Sequence, residues 1–183
     1  MQTALATIRD EHRTISAVLH AMKELAREAQ GPGAAKPAFP ALRAMVRYID
    51  EFPEKLHHPK EDDQLFARLV KRLPEAKALV DRLKKEHVDG ARLIRDLERA
   101  LLFFEDRAPE GAKEFLEAVN AYADFHWVHM RCEEQELLPL AERCLTPEDW
   151  RAISAAFVEN PDFEKAFTRI VNLAPAPVGL GAR

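Results

Sequence analysis

The chain has 183 residues, 47% of them hydrophobic and 32% charged, with a formal net charge of −4 and a pI near 6.0. That balance suits one soluble domain with a well-buried core. It excludes a nucleic-acid-binding surface, which needs concentrated positive charge. No apolar run approaches the length of a membrane span. Only 6 Gly and 8% aromatics stand beside abundant Ala, Leu, Glu, Arg and Lys, so the composition leans helical.

The first predicted helix covers Thr3 to Ala29, with Leu5, Ile8, Ile15, Val18, Leu19, Met22 and Leu25 recurring at three- and four-residue steps. Gln30, Gly31, Pro32 and Gly33 end it. The second runs from Phe39 to about Arg72 through Leu42, Met45, Val46 and Ile49. It carries Pro53 and Pro59, which remove intrahelical hydrogen bonds and should kink or break it on either side of His57 and His58. Such an opening is either a site-shaping device or a plain joint between helices. A third helix follows Pro74, from Glu75 to Glu105, and Pro109 opens a fourth that runs to about Arg143. Short connections between four long helices imply antiparallel neighbours, hence an all-α, up-down-up-down four-helix bundle over 1–145. Thr146, Pro147, Glu148 and Asp149 carry the signature of an N-cap with proline at the first helical position. They begin a short helix through Phe157. Asn160, Pro161 and Asp162 begin another, to Leu173, so that 146–173 packs on the bundle as one or two short helices. The tail, 174–183, reads as flexible.

Cys132 and Cys144 lie 12 residues apart on one predicted helix. That is about 18 Å at 1.5 Å per residue, too far to bridge. With no secretory signal at the N-terminus, a reduced, cytoplasmic setting is the simple reading.

A duplicated constellation carries the chemistry. His57-x-x-x-Glu61 followed by Asp62, Leu65 and Phe66 reappears as His129-x-x-x-Glu133 followed by Glu134, Leu137 and Leu138. Glu11-His12 precedes the first pair and Glu86-His87 the second, His12 by 45 residues and His87 by 42. Residues four apart on a helix share a face, so each His/Glu pair projects together. Two copies of the unit supply four imidazoles, His12, His57, His87 and His129, and two carboxylates, Glu61 and Glu133. That is the donor set a pair of first-row transition metals needs, each carboxylate spanning both ions. A site for one ion, or a polar core that binds none, are the alternatives.

Around this set, His58 either completes one metal's shell or turns to solvent or to a hydrogen-bonding partner. His126, one turn before His129, reads as a residue behind the ligands or gating a pocket, with direct ligation as the alternative. Asp62 and Glu134 either hydrogen-bond the ligand imidazoles or are solvated. His20, two turns past His12, packs without metal. Tyr122, Trp127 and Trp150 read as packing residues, and Cys132 as a small buried hydrophobe.

The Glu11-His12 opening, His57-His58-Pro59-Lys60-Glu61-Asp62, Glu86-His87, and Phe125-His126-Trp127 with His129, Met130, Glu133, Glu134, Leu138, Pro139 and Leu140 together resemble the bacterial single-domain hemerythrin-like (HHE cation-binding) proteins over about residues 3–145. The segment from Leu145 through Trp150 to Phe157 is similar to the C-terminal helices of such members. The resemblance implies a left-handed antiparallel four-helix bundle around two iron ions in an oxo- or hydroxo-bridged centre. Its ligands would be His12, His57, Glu61, His87, His129 and Glu133, with Glu61 and Glu133 bridging. Oxygen-carrying members have a fifth histidine four residues from the third-helix one. Here Ala91 and Leu83 stand at those positions, so this chain resembles instead the members with four histidines and two glutamates. The implied function is binding or sensing O2 or related ligands such as NO and peroxide. The alternatives are an enzyme decomposing hydrogen peroxide, and an iron-handling or iron–sulfur repair protein.

Overall fold

In a computed structural model the protein is all-helical across the residues it describes, 2–30, 33–34, 36–158 and 161–175. Helix α1 is Gln2–Glu28; α2 is a continuous rod over 39–72; α3 is Lys77–Asp106, entered through a 3-10 turn at Pro74–Ala76. Helix α4 spans 112–144, α5 is Pro147–Ala156 and α6 is Pro161–Leu173. Helix α1 packs against α2, α2 against α3, α3 against α4 and α4 against α1, which closes a helical bundle around a shared interior. Helix α5 lies against α1 and α2, and α6 lies against the first part of α2.

Apolar periodicity builds that interior in two halves. One half is formed by Ile15, Leu19, Met22, Met45, Ile49, Ile94, Leu97, Phe104, Phe115 and Tyr122, and Ile170 of α6 joins it. The other is formed by Leu5, Ile8, Leu65, Phe66, Leu83, Leu137 and Leu138, closed by Trp150, Ile153 and Phe157 from α5 and its end. The duplicated histidines and glutamates fall between the halves on every long helix: His12 between Ile8 and Ile15, Glu61 between Phe52 and Leu65, His87 between Leu83 and Ile94, and Glu133 between Met130 and Leu137. A polar layer sealed by hydrocarbon at both ends is a low-dielectric setting for charge.

Several expectations about boundaries need correction. The prolines of α2 do not break it: backbone helicity continues through both. The fourth helix begins at Ala112 rather than Pro109, because 107–111 form a turn in which the Gly111 amide donates to the Arg107 carbonyl at 3.1 Å. A Cβ at Gly111 would stand 2.5 Å from the Phe104 Cα, so this turn needs glycine to lie against α3. The cap of α5 is as expected: the Thr146 hydroxyl accepts from the Asp149 amide at 3.3 Å, and the Asp149 carboxylate accepts from the Thr146 amide at 3.0 Å. Asn160 and the tail from 176 onward lie outside the described residues, as do Gly31 and Pro32 of the first turn. Among the described residues no helix is long and apolar enough to cross a membrane.

Candidate metal centre

The local helix geometry at the two His/Glu pairs is unusual. Asp50–His57 and Glu61–Phe66 of α2, and Glu133–Leu137 of α4, are π-helical, with hydrogen bonds reaching five residues back. The His58 amide donates to the Pro53 carbonyl, and the Leu138 amide to the Glu133 carbonyl. Proline offers no amide hydrogen, so α2 with Pro53 and Pro59, and α4 with Pro139, lose regular i to i−4 bonds. A wider turn lets the chain stay helical around those gaps. Wide turns of this kind gather at functional sites. Here they begin at Glu61 and Glu133 and end at His57.

Within the polar layer the donor atoms converge as two facing pairs of imidazoles. His12 Nε2 lies 3.0 Å from His57 Nε2, and His87 Nε2 lies 3.1 Å from His129 Nε2. The two carboxylates stand between the pairs. Glu61 turns Oε1 to His57 at 3.2 Å and to His12 at 3.7 Å, and Oε2 to His87 at 3.6 Å. Glu133 turns Oε2 to His12 at 3.4 Å, and Oε1 to His129 at 3.3 Å and His87 at 3.8 Å. Each carboxylate therefore gives one oxygen to each imidazole pair. Both side chains are only 1% exposed. Glu61 Oε2 and both oxygens of Glu133 are buried without a hydrogen-bond donor among the described residues.

A collar of four further carboxylates fixes the rings. Nδ1 of His12 donates to Glu134 at 3.0 Å, that of His57 to Glu11 at 2.6 Å, that of His87 to Asp62 at 3.0 Å and that of His129 to Glu86 at 2.8 Å. An ionised carboxylate only accepts, so each Nδ1 carries the hydrogen and each neutral ring presents a bare lone pair at Nε2. Two bare lone pairs 3 Å apart repel unless a cation lies between them. Two bonds of about 2.1 Å from one ion to cis or tetrahedral ligands separate the ligand atoms by about 3.0–3.4 Å. Most of these nitrogen and oxygen separations fall there.

Proton affinities carry the same demand for positive charge. Burial disfavours a charged His57, but Glu61 and Glu11 outweigh it and hold its pKa well above the ordinary value. Burial is likewise outweighed at His12 by Glu134 and Glu61, and at His87 by Asp62 and Glu133, so both are raised. At His129, Glu133 and Glu86 overcome burial and lift the pKa to about 10. Glu133 is held well below the carboxylate range: burial opposes, and His129 and His87 prevail. With no metal the rings fill with protons; a metal must displace them.

His58 and His126 are also buried. A ring nitrogen of His58 groups with donors of His87 and His129, all within 4.8 Å of one another. Its Nδ1 faces Glu54 Oε2 at 3.5 Å, its ring stacks on His87 with centroids 4.2 Å apart, and burial pushes its pKa down to about 3. His126 turns away from the two imidazole pairs. Its Nδ1 donates to the Tyr122 carbonyl at 3.1 Å and its Nε2 faces Glu54 Oε1 at 3.3 Å. The Tyr122 hydroxyl donates to the same oxygen at 2.5 Å, a polar role beyond the packing expected of that residue. His20 is exposed and stacks on Trp127 with centroids 4.4 Å apart.

Residues 3–141 match the family model of the hemerythrin HHE cation binding domain. The chain belongs to the hemerythrin HHE family. No curated protein matches it. The hemerythrin HHE domain binds metal cations, and the His/Glu clusters of this chain are able to hold them. The structure brings His12, His57, Glu61, His87, His129 and Glu133 together, with His58 at their edge and His126 one layer away. Asp62 and Glu134 take the first of the two roles open to them, orienting imidazoles. Sequence reasoning missed the parts played by Glu11, Glu86 and Glu54. The repeated Glu-His dipeptide was the signal for the first two; nothing in the spacing singles out Glu54.

Proposed function

We propose that the chain houses two iron ions and uses them to bind or sense O2 or a related small redox ligand, NO or peroxide, in the cytoplasm. In this reading the four long helices run alternately up and down, residues 1–145 form the metal-binding bundle, and 146–173 pack on it. The observation that carries it is the pairing of four Nε2 atoms in two facing couples, with two carboxylates giving one oxygen to each couple. Two irons would supply reversible electron transfer and open coordination positions.

The protein's own residues do the rest. His12 and His57 would hold one ion, His87 and His129 the other, and Glu61 and Glu133 would span them. Glu11, Glu134, Asp62 and Glu86 orient the rings and raise their basicity. Six carboxylates surround the pair, a charge that two di- or trivalent cations offset. The apolar halves on either side exclude bulk water, which suits a small neutral ligand and slows loss of the ions. Among the described residues no nucleophile with its own base stands beside the pair, so any catalysis would run on the ions themselves.

Iron analysis with an optical spectrum tests this. Two irons per chain, near-ultraviolet charge-transfer bands, and a spectral change on adding O2 to the reduced protein or NO are expected. Iron-loaded protein whose spectrum ignores O2, NO and added peroxide alike contradicts the reading. The buried Glu54, Tyr122 and His126 cluster beside His58 favours peroxide decomposition as a second reading. Oxygen evolution from hydrogen peroxide above the rate of free iron supports it, and its absence removes it.

A further inference from the structure

The repeat that unites the two His/Glu pairs fails in one place. His57 matches His129 and His12 matches His87, so His58 falls on Met130 and Gly90 on Ile15. Ile15 and Met130 are buried hydrocarbon and thioether. At His58 and Gly90 the interior opens instead for a polar cluster of Glu54, Tyr122 and His126. The Glu54 side chain is only 4% exposed, and a Cβ at Gly90 would come within 3.3 Å of its Oε1 and 3.1 Å of the His126 ring.

Four rings form a column from this cluster to the imidazole couples. Tyr122 stacks on His126 with centroids 4.0 Å and planes 20° apart, His126 on His58 at 5.8 Å and 17°, and His58 on His87 at 4.2 Å and 9°. His87 is one of the four converging imidazoles. Electron tunnelling decays exponentially with the gap, so closely stacked π faces are an efficient route for one. Tyr122, at the far end, is fully buried, and its hydroxyl donates to Glu54 Oε1 at 2.5 Å. A phenol that loses an electron becomes a strong acid, so it is readily oxidised only where a base already holds its hydrogen. Glu54 is that base: burial alone would raise its pKa, but His126 and His58 prevail and hold it below the ordinary carboxylate range. Loss of the proton alone is closed to Tyr122, because burial and the Glu54 charge push its pKa well above the ordinary value. Proton and electron therefore leave together.

Resting on the reading of a metal pair, we propose that Tyr122 is a redox-active residue: when hydrogen peroxide reacts at the irons, Tyr122 gives one electron along the ring column and passes its proton to Glu54. Peroxide is the oxidant. Its O–O bond breaks with uptake of two electrons and two protons, giving two waters. One electron comes from Tyr122 and the other from the iron pair, and the two protons come from solvent. What remains is a neutral tyrosyl radical inside the apolar core that contains Tyr122. An oxidising equivalent is thereby drawn away from the imidazoles and carboxylates of the centre.

The test is electron paramagnetic resonance of samples frozen after mixing with hydrogen peroxide. Iron-loaded wild type, Tyr48→Phe, Tyr122→Phe and Glu54→Gln are used, with iron counted in each, and each is prepared with ordinary and with ring-deuterated tyrosine. The chain has 2 tyrosines, Tyr48 and Tyr122, which makes the assignment simple. Wild type and Tyr48→Phe should show an organic radical whose splitting narrows with the label, and Tyr122→Phe should not. Glu54→Gln keeps an acceptor without the charge and should form the radical about a hundredfold more slowly. No label-sensitive radical in the wild type overturns the proposal. So does its loss in Tyr48→Phe, its survival in Tyr122→Phe, its unchanged rate in Glu54→Gln, or its appearance in iron-free protein given peroxide. Should Tyr122→Phe not hold both irons, Tyr48→Phe decides alone, since Tyr122 is its single tyrosine. Fewer than two irons in the wild type refutes the metal pair itself, a separate failure read before any peroxide is added. A change in iron absorption with no radical leaves the pair standing and removes the role of Tyr122.

Discussion

Glu11 tests how much the carboxylate collar contributes. Its Oε2 lies 2.6 Å from His57 Nδ1, and the two side chains are 13% and 5% exposed, so the bond is charge-assisted and largely shielded from water. In Glu11→Ala the ring of His57 is free to rotate and to carry its hydrogen on either nitrogen. Loss of such a partner lowers metal affinity about 10- to 100-fold, or roughly 1.4–2.7 kcal/mol. Only the ion shared by His12 and His57 should weaken, since Asp62 and Glu86 still hold the other couple. Glu11→Gln retains an acceptor without the charge and should fall between. The assay is release of iron to a graded chelator at fixed pH, followed by atomic absorption. One ion should leave at 10- to 100-fold lower chelator concentration while the other leaves as in the wild type. Release of both at wild-type concentrations would refute the view that these carboxylates tune the site.

Four further outcomes are expected. Metal-free protein should lose stability as pH rises from about 6.5 through about 10. A ring whose folded pKa is raised stabilises most below its unfolded value, and that contribution vanishes above the folded one; for His129, at about 10 against 6.5, it amounts to about 5 kcal/mol. Urea titrations of metal-free protein at pH 6.5 and 10 check it, and equal midpoints contradict it. Iron loading should raise the melting temperature, because 100-fold excess over the dissociation constant adds about 2.7 kcal/mol; an unchanged melting curve contradicts it. His20→Ala should leave iron content intact, since His20 only stacks on Trp127. Gly111→Ala should destabilise by about 1–3 kcal/mol, because its Cβ would meet the Phe104 backbone at 2.5 Å; thermal melting reads the loss.

The helical class and the gathering of the six donors were legible because both rest on periodicity. Apolar steps of three and four residues set the faces of the long helices, and the repeated His/Glu pairs ride on those faces. What the repeat conceals is where symmetry fails: His58 and Met130 occupy matching positions with different chemistry. The π-helical turns were not legible as such. Pro53 and Pro59 announce missing amide hydrogens, but whether a rod breaks or widens depends on packing by the neighbouring helices. The part of Glu54 was hidden for a similar reason: it depends on Gly90 and Tyr122, which meet it only across the bundle.

Iron per chain in wild type, Glu61→Ala and Glu133→Ala tests the central claim most directly. Each glutamate offers one oxygen to each imidazole couple. Two irons in the wild type and fewer than two in both variants are expected. Two irons retained in either variant, or fewer than two in the wild type, would contradict a pair of ions held between these carboxylates.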